Sequence, residues 1–258
     1  MNQISCSAHS CPAAEVLHLR TRLREEARGQ IVHDSIHRRP GWVRTYVLRA
    51  GNAEAGFGSV AVGGPWENRP TVYEWYVLPG QRHRAFALFE ALLGASQAQF
   101  LEVQTSDELL AVMLHAYGRG LASEKIVFRD HLATDLPPPT VSAALRPLST
   151  DEHVLACLEA RQGGGEWELV ADGRAVGKGG MLFHYNRPYA DLFMEIEEPC
   201  RRQGFGAWLV QELKRLCYGY GAIPAARCNV YNVASRQTLQ KAGFVPWGHI
   251  VTAGLAVG

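Results

Sequence analysis

The stretch Asp191–Gly206, which reads DLFMEIEEPCRRQGFG, decides the fold of this chain. It begins as a hydrophobic run typical of a strand, passes through a proline, and reaches Gly204 and Gly206 just before an amphipathic helix pattern. Glycine has no Cβ, so its backbone can approach a ligand closely, and the free N–H groups at the start of a helix attract anions. This order predicts a pocket for a diphosphate, beside which Arg201 and Arg202 add positive charge.

Two other phosphate-binding motifs do not fit this stretch. A Walker loop ends in Gly-Lys-Ser/Thr, whereas Ala207 and Trp208 follow the second glycine here. A dinucleotide fingerprint needs a third glycine, at the position of Leu209, and an acidic residue at the end of the next strand, which instead ends in Cys-Asn-Val. The Arg-x-x-Gly-x-Gly pattern of Arg201–Gly206 resembles the acyl-CoA loop of the GNAT superfamily of N-acyltransferases.

A second block supports that resemblance. Asn232–Phe244 reads NVASRQTLQKAGF, similar to the family signature in which an Asn opens a helix that closes with Gly-Phe. Asn232 fits the N-cap of this helix and Gly243 fits the position just after its end. The spacing from Gly206 to Asn232 leaves room for one helix and one strand. The resemblance covers roughly residues 140–258.

Composition excludes several classes of protein. The chain has 258 residues and a formal net charge of +1, without the basic stripe expected of a nucleic-acid binder. No apolar run approaches the length of a membrane span, and the N-terminus lacks the pattern of a secretory signal. The 6 cysteines are scattered, which indicates a reducing cytoplasm and no disulfide framework or zinc site. His33 and His37 are interpreted as residues of a surface helix, not metal ligands.

The segment Ala133–Pro147 contains three consecutive prolines and is the predicted linker between two domains, residues 1–136 and 137–258. We expect an α/β fold of two domains in tandem, each a mixed, mostly antiparallel sheet flanked by helices. The elements predicted after the linker are helix Thr150–Arg161, strands Glu166–Ala171, Arg174–Tyr185 and Tyr189–Glu197, helix Gly204–Tyr220, strand Ala225–Tyr231, helix Val233–Ala242 and strand Val245–Thr252. Asp172-Gly173 predicts a type I′ turn within the hairpin.

The first half follows the same plan. Its predicted elements are strands Trp42–Ala50, Ala55–Val62 and Thr71–Leu78, helix Ala85–Ala98, strand Phe100–Thr105, helix Asp107–Tyr117 and strand Ser123–His131. Pro79–Ala87 aligns with Pro199–Ala207 without a gap, and Arg84 and Phe86 then stand where the second copy has its two glycines. These side chains would fill the space that a pyrophosphate needs. The first half is therefore interpreted as a degenerate GNAT-like domain without the cofactor loop.

The resemblance implies an acetyl-CoA-dependent N-acetyltransferase, in which the amine of a small-molecule or peptide acceptor attacks the thioester directly in a ternary complex. Neither nucleic acid nor membrane is expected as a partner, and the sequence leaves the oligomeric state open, a homodimer included. The residues expected to bind acetyl-CoA are Met194, Ile196, Arg201, Arg202, Gln203, Gly204, Phe205, Gly206, Ala207, Asn232 and Ser235. The strand Tyr189–Glu197 should splay from Ala225–Tyr231, so that backbone near Met194–Ile196 pairs with the pantetheine arm.

The groups that move protons are less clearly marked. Many family members use a tyrosine, one position after Thr238, as the acid that protonates the departing thiolate, and this chain has Leu239 there. Water or a hydroxyl such as that of Tyr231 could replace it. Glu195 is favoured as the base that deprotonates the amine, and Asn229 could orient a water or the acceptor.

Other candidates for the base cannot be ranked from the sequence. His184 and Tyr185, at the end of the preceding strand, are two of them, whereas Asp191 and Glu197 are interpreted as surface or structural carboxylates. Two further functions stay open. One is a non-catalytic acyl-CoA sensor or interaction module, which the missing tyrosine and the degenerate first half suggest. The other is an acyltransferase that uses a longer acyl group or a non-amine acceptor.

Overall fold

The structure, a computed structural model, describes residues 4–255. Within them the strands are β1 (Cys6–Cys11), β2 (Val43–Ala50), β3 (Ala53–Ala61), β4 (Thr71–Val77), β5 (Phe100–Gln104), β6 (Gly118–Asp130), β7 (Ala144–Pro147), β8 (Gly164–Ala171), β9 (Arg174–Leu182), β10 (Tyr189–Ile196), β11 (Ile223–Asn229) and β12 (Phe244–Leu255). The α-helices are α1 (Leu17–Glu26), α2 (Ala85–Ser96), α3 (Glu108–Tyr117), α4 (Asp151–Ala160), α5 (Phe205–Gly219) and α6 (Val233–Lys241).

The chain forms two compact units. Among the described residues, unit 1 comprises 4–28, 36–124 and 249–255, and unit 2 comprises Gly29–Ser35 and Lys125–Gly248. Each unit contains six neighbouring strands with mixed parallel and antiparallel pairing, and its own buried apolar cluster. This agrees with the expected α/β fold class, in which mixed, mostly antiparallel strands are flanked by helices.

In unit 1 the strand order is β1-β2-β3-β4-β5-β12, and the pairing is antiparallel except between β4 and β5. α2 packs its apolar side against this sheet, with the ring of Phe89 in edge-to-face contact with Trp75 at 5.0 Å. Tyr76, next to Trp75 on β4, belongs to a second cluster with Leu19 of α1. Successive residues of a strand point to opposite faces, so α1 and α2 cover opposite faces of β4.

In unit 2 the order is β6-β11-β10-β9-β8-β7, again antiparallel except for the pair β10–β11. α5 connects these two parallel strands, as a crossover helix must. Its residues Leu209 and Leu213 lie so close to Gly179 of β9 that a Cβ there would be within 3.3 Å and 2.9 Å of their methyl groups. Glycine on β9 thus lets α5 approach the sheet closely.

The structure divides the chain differently from the predicted single boundary between residues 136 and 137. The chain passes from unit 1 to unit 2 inside β6, whose residues Lys125–Arg129 pair with β11. It returns inside β12, whose residues Ile250–Gly254 pair with β5. The last strand of each sheet is therefore supplied from the other half of the sequence. Strand patterns indicate which residues are extended, and they carry no information on which distant strand becomes the neighbour.

Most predicted elements are confirmed to within a few residues. The turn at Asp172 and Gly173 has positive φ at both residues, 50° and 74°, as a type I′ turn requires. The strands β1 and β7 and the helix α1 are not among the predicted elements, and β7 lies within the predicted linker Ala133–Pro147, where it pairs with β8. The interpretation of His33 and His37 as residues of a surface helix is wrong. The short 3-10 helix Asp34–Arg38 excludes His33, and His37, whose side chain is 3 % exposed, donates from Nε2 to the carboxylate of Glu74. No helix within residues 4–255 is long and apolar enough to cross a bilayer.

Candidate functional site

The loop after β10 presents free backbone amides. A short 3-10 helix, Glu198–Cys200, leads to Gly204, which has φ +91° and lies directly before α5. The first bond across the start of α5 runs from the amide of Trp208 to the carbonyl of Gly204, at 3.2 Å. Within the described part of the chain, none of the amides from 203 to 207 donates a hydrogen bond to a protein atom. These groups point out of a helix start, which is the arrangement that holds a phosphate.

A Cβ on Gly204 would collide with no described residue. Its nearest neighbour outside the adjoining residues would be Cγ of Pro139, at 3.8 Å. The loop keeps its shape through its own side chains, since Arg201 Nε donates to the carbonyl of Ile196 and Gln203 Nε2 to that of Pro199, both at 3.0 Å. The side chains of Arg201 and Arg202 are exposed beside the amides. These are features that an anion pocket needs, and the binding of a diphosphate here stays a prediction.

The strands β10 and β11 separate as they approach this loop. They pair from Tyr189 to Asp191 on β10, and no further pairing occurs between them within the described residues. The predicted splay is confirmed. On its other side β10 pairs with β9 as far as Ile196, and the amide of Glu197 continues that ladder to the carbonyl of Val176 at 3.0 Å. Because alternate residues of a strand bond to alternate sides, the N–H and C=O groups of Met194 and the N–H of Ile196 face the opened cleft, where the carbonyl of Ile196 already accepts from Arg201 Nε.

The start of α6 forms the other wall of the cleft. Asn232 Oδ1 accepts a hydrogen bond from the amide of Ser235 at 2.9 Å, so the predicted N-cap is confirmed. Asn229 Oδ1 accepts from the amide of Tyr231 at 3.0 Å, which means that its oxygen holds the turn before the helix. Leu239, at the position of the family's tyrosine, is buried in the apolar cluster of unit 2.

Glu195, the base favoured from the sequence, is exposed. Its side chain is 67 % accessible and its carboxylate lies 4.0 Å from Lys178 Nζ, a weak surface pair. Glu195 shares a strand face with Asp191, opposite the face that packs on α5. Glu195 is therefore neither buried nor in contact with another candidate catalytic residue.

Asp191, interpreted from the sequence as a surface or structural carboxylate, is almost fully buried and connects three elements. Its Oδ2 lies 3.2 Å from His184 Nε2 and 3.3 Å from Arg227 Nε of β11. The ring of Tyr185 packs edge-on against that of His184, with centroids 4.6 Å apart. Burial raises the pKa of Tyr185 well above its usual value, and the charge of Asp191 adds to this shift. The sequence does not indicate the contact between Asp191 and His184. In the strand pattern Asp191 lies on the same face as Glu195 and Glu197, and nothing local distinguishes it from them.

The corresponding loop of unit 1 has a different conformation. Pro79–Arg84 is a 3-10 helix that runs directly into α2, and the amide of Ala85 donates to the carbonyl of Arg82. Arg84 has φ −107°, in contrast to +91° at Gly204. Phe86 is 52 % exposed and stands at the start of α2. The amides and the space that unit 2 offers to an anion are thus partly taken up in unit 1.

Comparisons with known proteins agree with this geometry. Residues 130–244 match the model of the Acetyltransferase (GNAT) family. This match covers the loop, the cleft and the helix α6, and it begins at the end of β6, before the predicted linker. None of the curated proteins matches the chain.

Solved structures resemble nearly the whole chain. An acetyltransferase from the GNAT family of Colwellia psychrerythraea has a TM-score of 0.73 at 13% identity, with 96% of this chain and 99% of that chain covered. A tandem GNAT protein from the clavulanic acid biosynthesis pathway, solved without AcCoA, has a TM-score of 0.60 at 15% identity, covering 97% and 98%. A GCN5-related N-acetyltransferase from Sphaerobacter thermophilus has a TM-score of 0.59 at 13% identity, covering 96% and 95%. These similarities show the fold, two GNAT-like domains in tandem.

Proposed function

Because residues 130–244 form a domain of the GNAT acetyltransferase family, we propose that this protein is an acetyl-CoA-dependent N-acetyltransferase. It transfers an acetyl group to a primary amine of a small molecule or peptide, by direct attack in a ternary complex. The observation that carries the proposal is the set of unbonded amides from 203 to 207 at the start of α5.

The loop fits a diphosphate by charge as well as by shape. Amides at a helix start carry the positive end of the helix dipole, and α5 has 15 residues, enough for a developed dipole. Arg201, Arg202 and Gln203 add side-chain donors on the exposed side. Gly204, Phe205, Gly206 and Ala207 supply the backbone.

The cleft between β10 and β11 fits the remainder of acetyl-CoA. Met194 and Ile196 turn backbone groups into the cleft, where they would pair with the two amides of the pantetheine arm, and Asn232 and Ser235 stand on the opposite side. A backbone N–H of Met194 would polarise the thioester carbonyl as an oxyanion hole does. Holding the amine in line with that carbonyl makes the attack intramolecular, which removes a large part of the barrier.

We assign the two domains different roles. Unit 2 is the acetyl-CoA-binding catalytic domain, and unit 1 is a degenerate copy that binds no acetyl-CoA, because Arg84 and Phe86 replace the glycines and the amide of Ala85 is already bonded. The scattered cysteines support a cytoplasmic protein. Nucleic acid and membrane are not proposed as partners, and a homodimer is compatible with the proposal.

One observation favours a second candidate, a non-catalytic acyl-CoA-binding sensor or interaction module. Leu239 is buried where the family often carries a tyrosine acid, so this chain has no hydroxyl at that position to protonate the leaving thiolate. Such a module would bind acetyl-CoA tightly and would release thiol slowly, at a rate that amines do not increase.

Two measurements on the full chain test the proposal. Isothermal titration with acetyl-CoA should give one site per chain, since the loop of unit 1 has Arg84 and Phe86 in place of the two glycines and its Ala85 amide is already bonded. Thiol release from acetyl-CoA should then increase on addition of a pool of primary amines. A folded sample that binds no acetyl-CoA contradicts the proposal, and binding without any response to amines favours the sensor.

A further inference from the structure

A buried group of polar side chains lies at the closed end of the cleft. Asp191 is the last residue of β10 that pairs with β11, so its side chain stands where the two strands begin to separate. The residue is 6 % exposed, and its carboxylate is shared between His184 and Arg227. The loop that would hold the diphosphate is at the other end of the same strand. An acyl-CoA arm that enters from that loop therefore points its acyl end at Asp191 and His184.

The side chain of His184 is more exposed to solvent than that of Asp191. Its side chain is 22 % exposed, whereas that of Asp191 is 9 % exposed. One ring nitrogen, Nε2, is buried 3.2 Å from the carboxylate, outside hydrogen-bond geometry, and the other, Nδ1, is available to a second partner. The ring of Tyr185 packs against the imidazole at 87°. A carboxylate beside one nitrogen favours a proton on that nitrogen and leaves the other to accept one, as in catalytic His–Asp pairs on unrelated folds.

We propose that His184 is the base that takes a proton from the acceptor amine, and that Asp191 is the positioning residue that orients it. This inference rests on the proposed function and adds to it the group that activates the acceptor. Histidine is suited to the task, because its ordinary pKa lies near neutral pH, where a large fraction of the imidazole is unprotonated and able to accept a proton.

The proton and electron pairs balance as follows. The ammonium of the acceptor gives one proton to Nδ1 of His184, and its nitrogen lone pair forms a bond to the thioester carbonyl carbon. The carbon–sulfur bond then breaks, and the sulfur leaves with the electron pair as a thiolate. The amide nitrogen loses its second proton, one proton returns to the thiolate from the imidazolium or from water, and the products are an N-acetyl amide, free CoA and one proton released to solvent.

Glu195 is the competing candidate and differs in two respects. It lies four residues along β10 from Asp191, which corresponds to roughly 13 Å. Its carboxylate is exposed and contacts Lys178, so water and a cation compete for it. The side chains that contact His184 are instead Asp191 from β10, which also contacts Arg227 of β11, and the neighbouring Tyr185.

The test compares four variants of the full chain, His184→Gln, Asp191→Asn, Glu195→Gln and, as a matched surface control, His131→Gln. Acetyl-CoA binding is measured by calorimetry. Thiol release is measured between pH 5.5 and 9, with an equimolar pool of spermidine, lysine and a tripeptide with a free N-terminus, and with water alone as the acceptor.

We expect His184→Gln to lower kcat/KM by at least about 100-fold without changing the acetyl-CoA affinity, and to remove the ascending limb of the pH profile. Asp191→Asn should cause a smaller loss, in kcat and not in the acetyl-CoA affinity, because the imidazole loses the carboxylate beside Nε2. His131→Gln should behave as the wild type. A His184→Gln variant within threefold of the wild type, or a large loss in Glu195→Gln in its place, overturns the assignment.

Failure of the proposed function gives a different result. If the wild type binds no acetyl-CoA, or binds it and releases no thiol with any acceptor, the transferase proposal falls and the role of His184 falls with it. If the wild type transfers acetyl groups and His184→Gln does so equally well, only the base assignment is lost.

Discussion

Gly206 at the start of α5 lies against Thr238 of α6. A Cβ on Gly206 would be 3.2 Å from Cγ2 of Thr238 and 3.6 Å from Cγ1 of Ile196. The glycine of the diphosphate loop and the helix of the second sequence block are therefore in direct contact. The second glycine allows two helices to meet at the cleft, whereas the first glycine, Gly204, supplies the positive φ before the helix.

This contact predicts that Gly206→Leu destabilises unit 2. The new side chain must displace Thr238 or Ile196, and overpacking of this kind costs about 1–3 kcal/mol. Thr238→Ala should recover part of the loss, with a coupling of about 0.5–3 kcal/mol between the two sites in urea unfolding. Gly219→Leu in the same helix is the control, since a Cβ there meets no atom within 4 Å. Equal losses at Gly206 and Gly219 would contradict the prediction.

Gly204→Glu should abolish acetyl-CoA binding in calorimetry while the protein stays folded. The substitution places bulk and negative charge among the amides that would hold a diphosphate. Gly221→Glu is the control for backbone strain, because Gly221 also has a positive φ, +71°, and a Cβ there meets no atom within 4 Å. Both variants should lose stability to a similar extent, about 1–3 kcal/mol. Retained binding in Gly204→Glu, or its loss in both variants, would show that the loop is not the binding site.

Lys214→Met should destabilise unit 2 by about 3–5 kcal/mol. Lys214 of α5 is buried, and its Nζ lies 2.6 Å from Asp130 Oδ1 and 2.7 Å from the carbonyls of Leu132 and Ala242. Methionine fits the stem of the side chain but removes the cation beside Asp130, which keeps the hydroxyl of Tyr218 and the amide of His131 as donors, and it takes the Nζ donor from both carbonyls. Lys241→Met, on the exposed side of α6, should change the free energy of unfolding by less than about 0.5 kcal/mol. Similar values for the two variants in urea titrations would disprove the role of Lys214.

Glu74 predicts a specific loss of stability in acid. Burial alone would raise the pKa of this carboxyl, but His37 and Arg20 hold it down to about 2. A pKa lowered on folding adds stability that is complete above the unfolded value of about 4.5 and is lost as the pH falls toward 2. The stability of Glu74→Gln should therefore depend less on pH between 5 and 2 than that of the wild type. Glu108→Gln, at an exposed position, should retain the wild-type profile, and a parallel profile for Glu74→Gln would refute the prediction.

Local patterns were sufficient for much of the fold and of the cofactor loop. The alternation and glycine signals around β8, β9 and β10 fixed their bounds, and the Asp172-Gly173 turn followed from the need for positive φ. The diphosphate loop was equally readable, because its amides, glycines and arginines are neighbours in the sequence. Each of these features depends on residues a few positions apart.

The buried polar group could not be identified in this way. His184, Asp191 and Arg227 come from three segments, and each has an unremarkable setting in its own stretch of sequence. Burial distinguishes Asp191 from Glu195, although both lie on the same face of one strand. The exposed fraction depends on which distant segments pack on each position, and no local pattern encodes it.

The sequence by itself determined the two repeated α/β halves, the turn and cap residues, and the loop of free amides, since these follow from short-range backbone preferences. Only the tertiary structure decided that β6 and β12 supply strands to the sheets of the opposite halves and that His184 meets Asp191 at the closed end of the cleft. Strand pairing and side-chain burial are set by the free energy of the whole packed chain, in which residues far apart in sequence become neighbours.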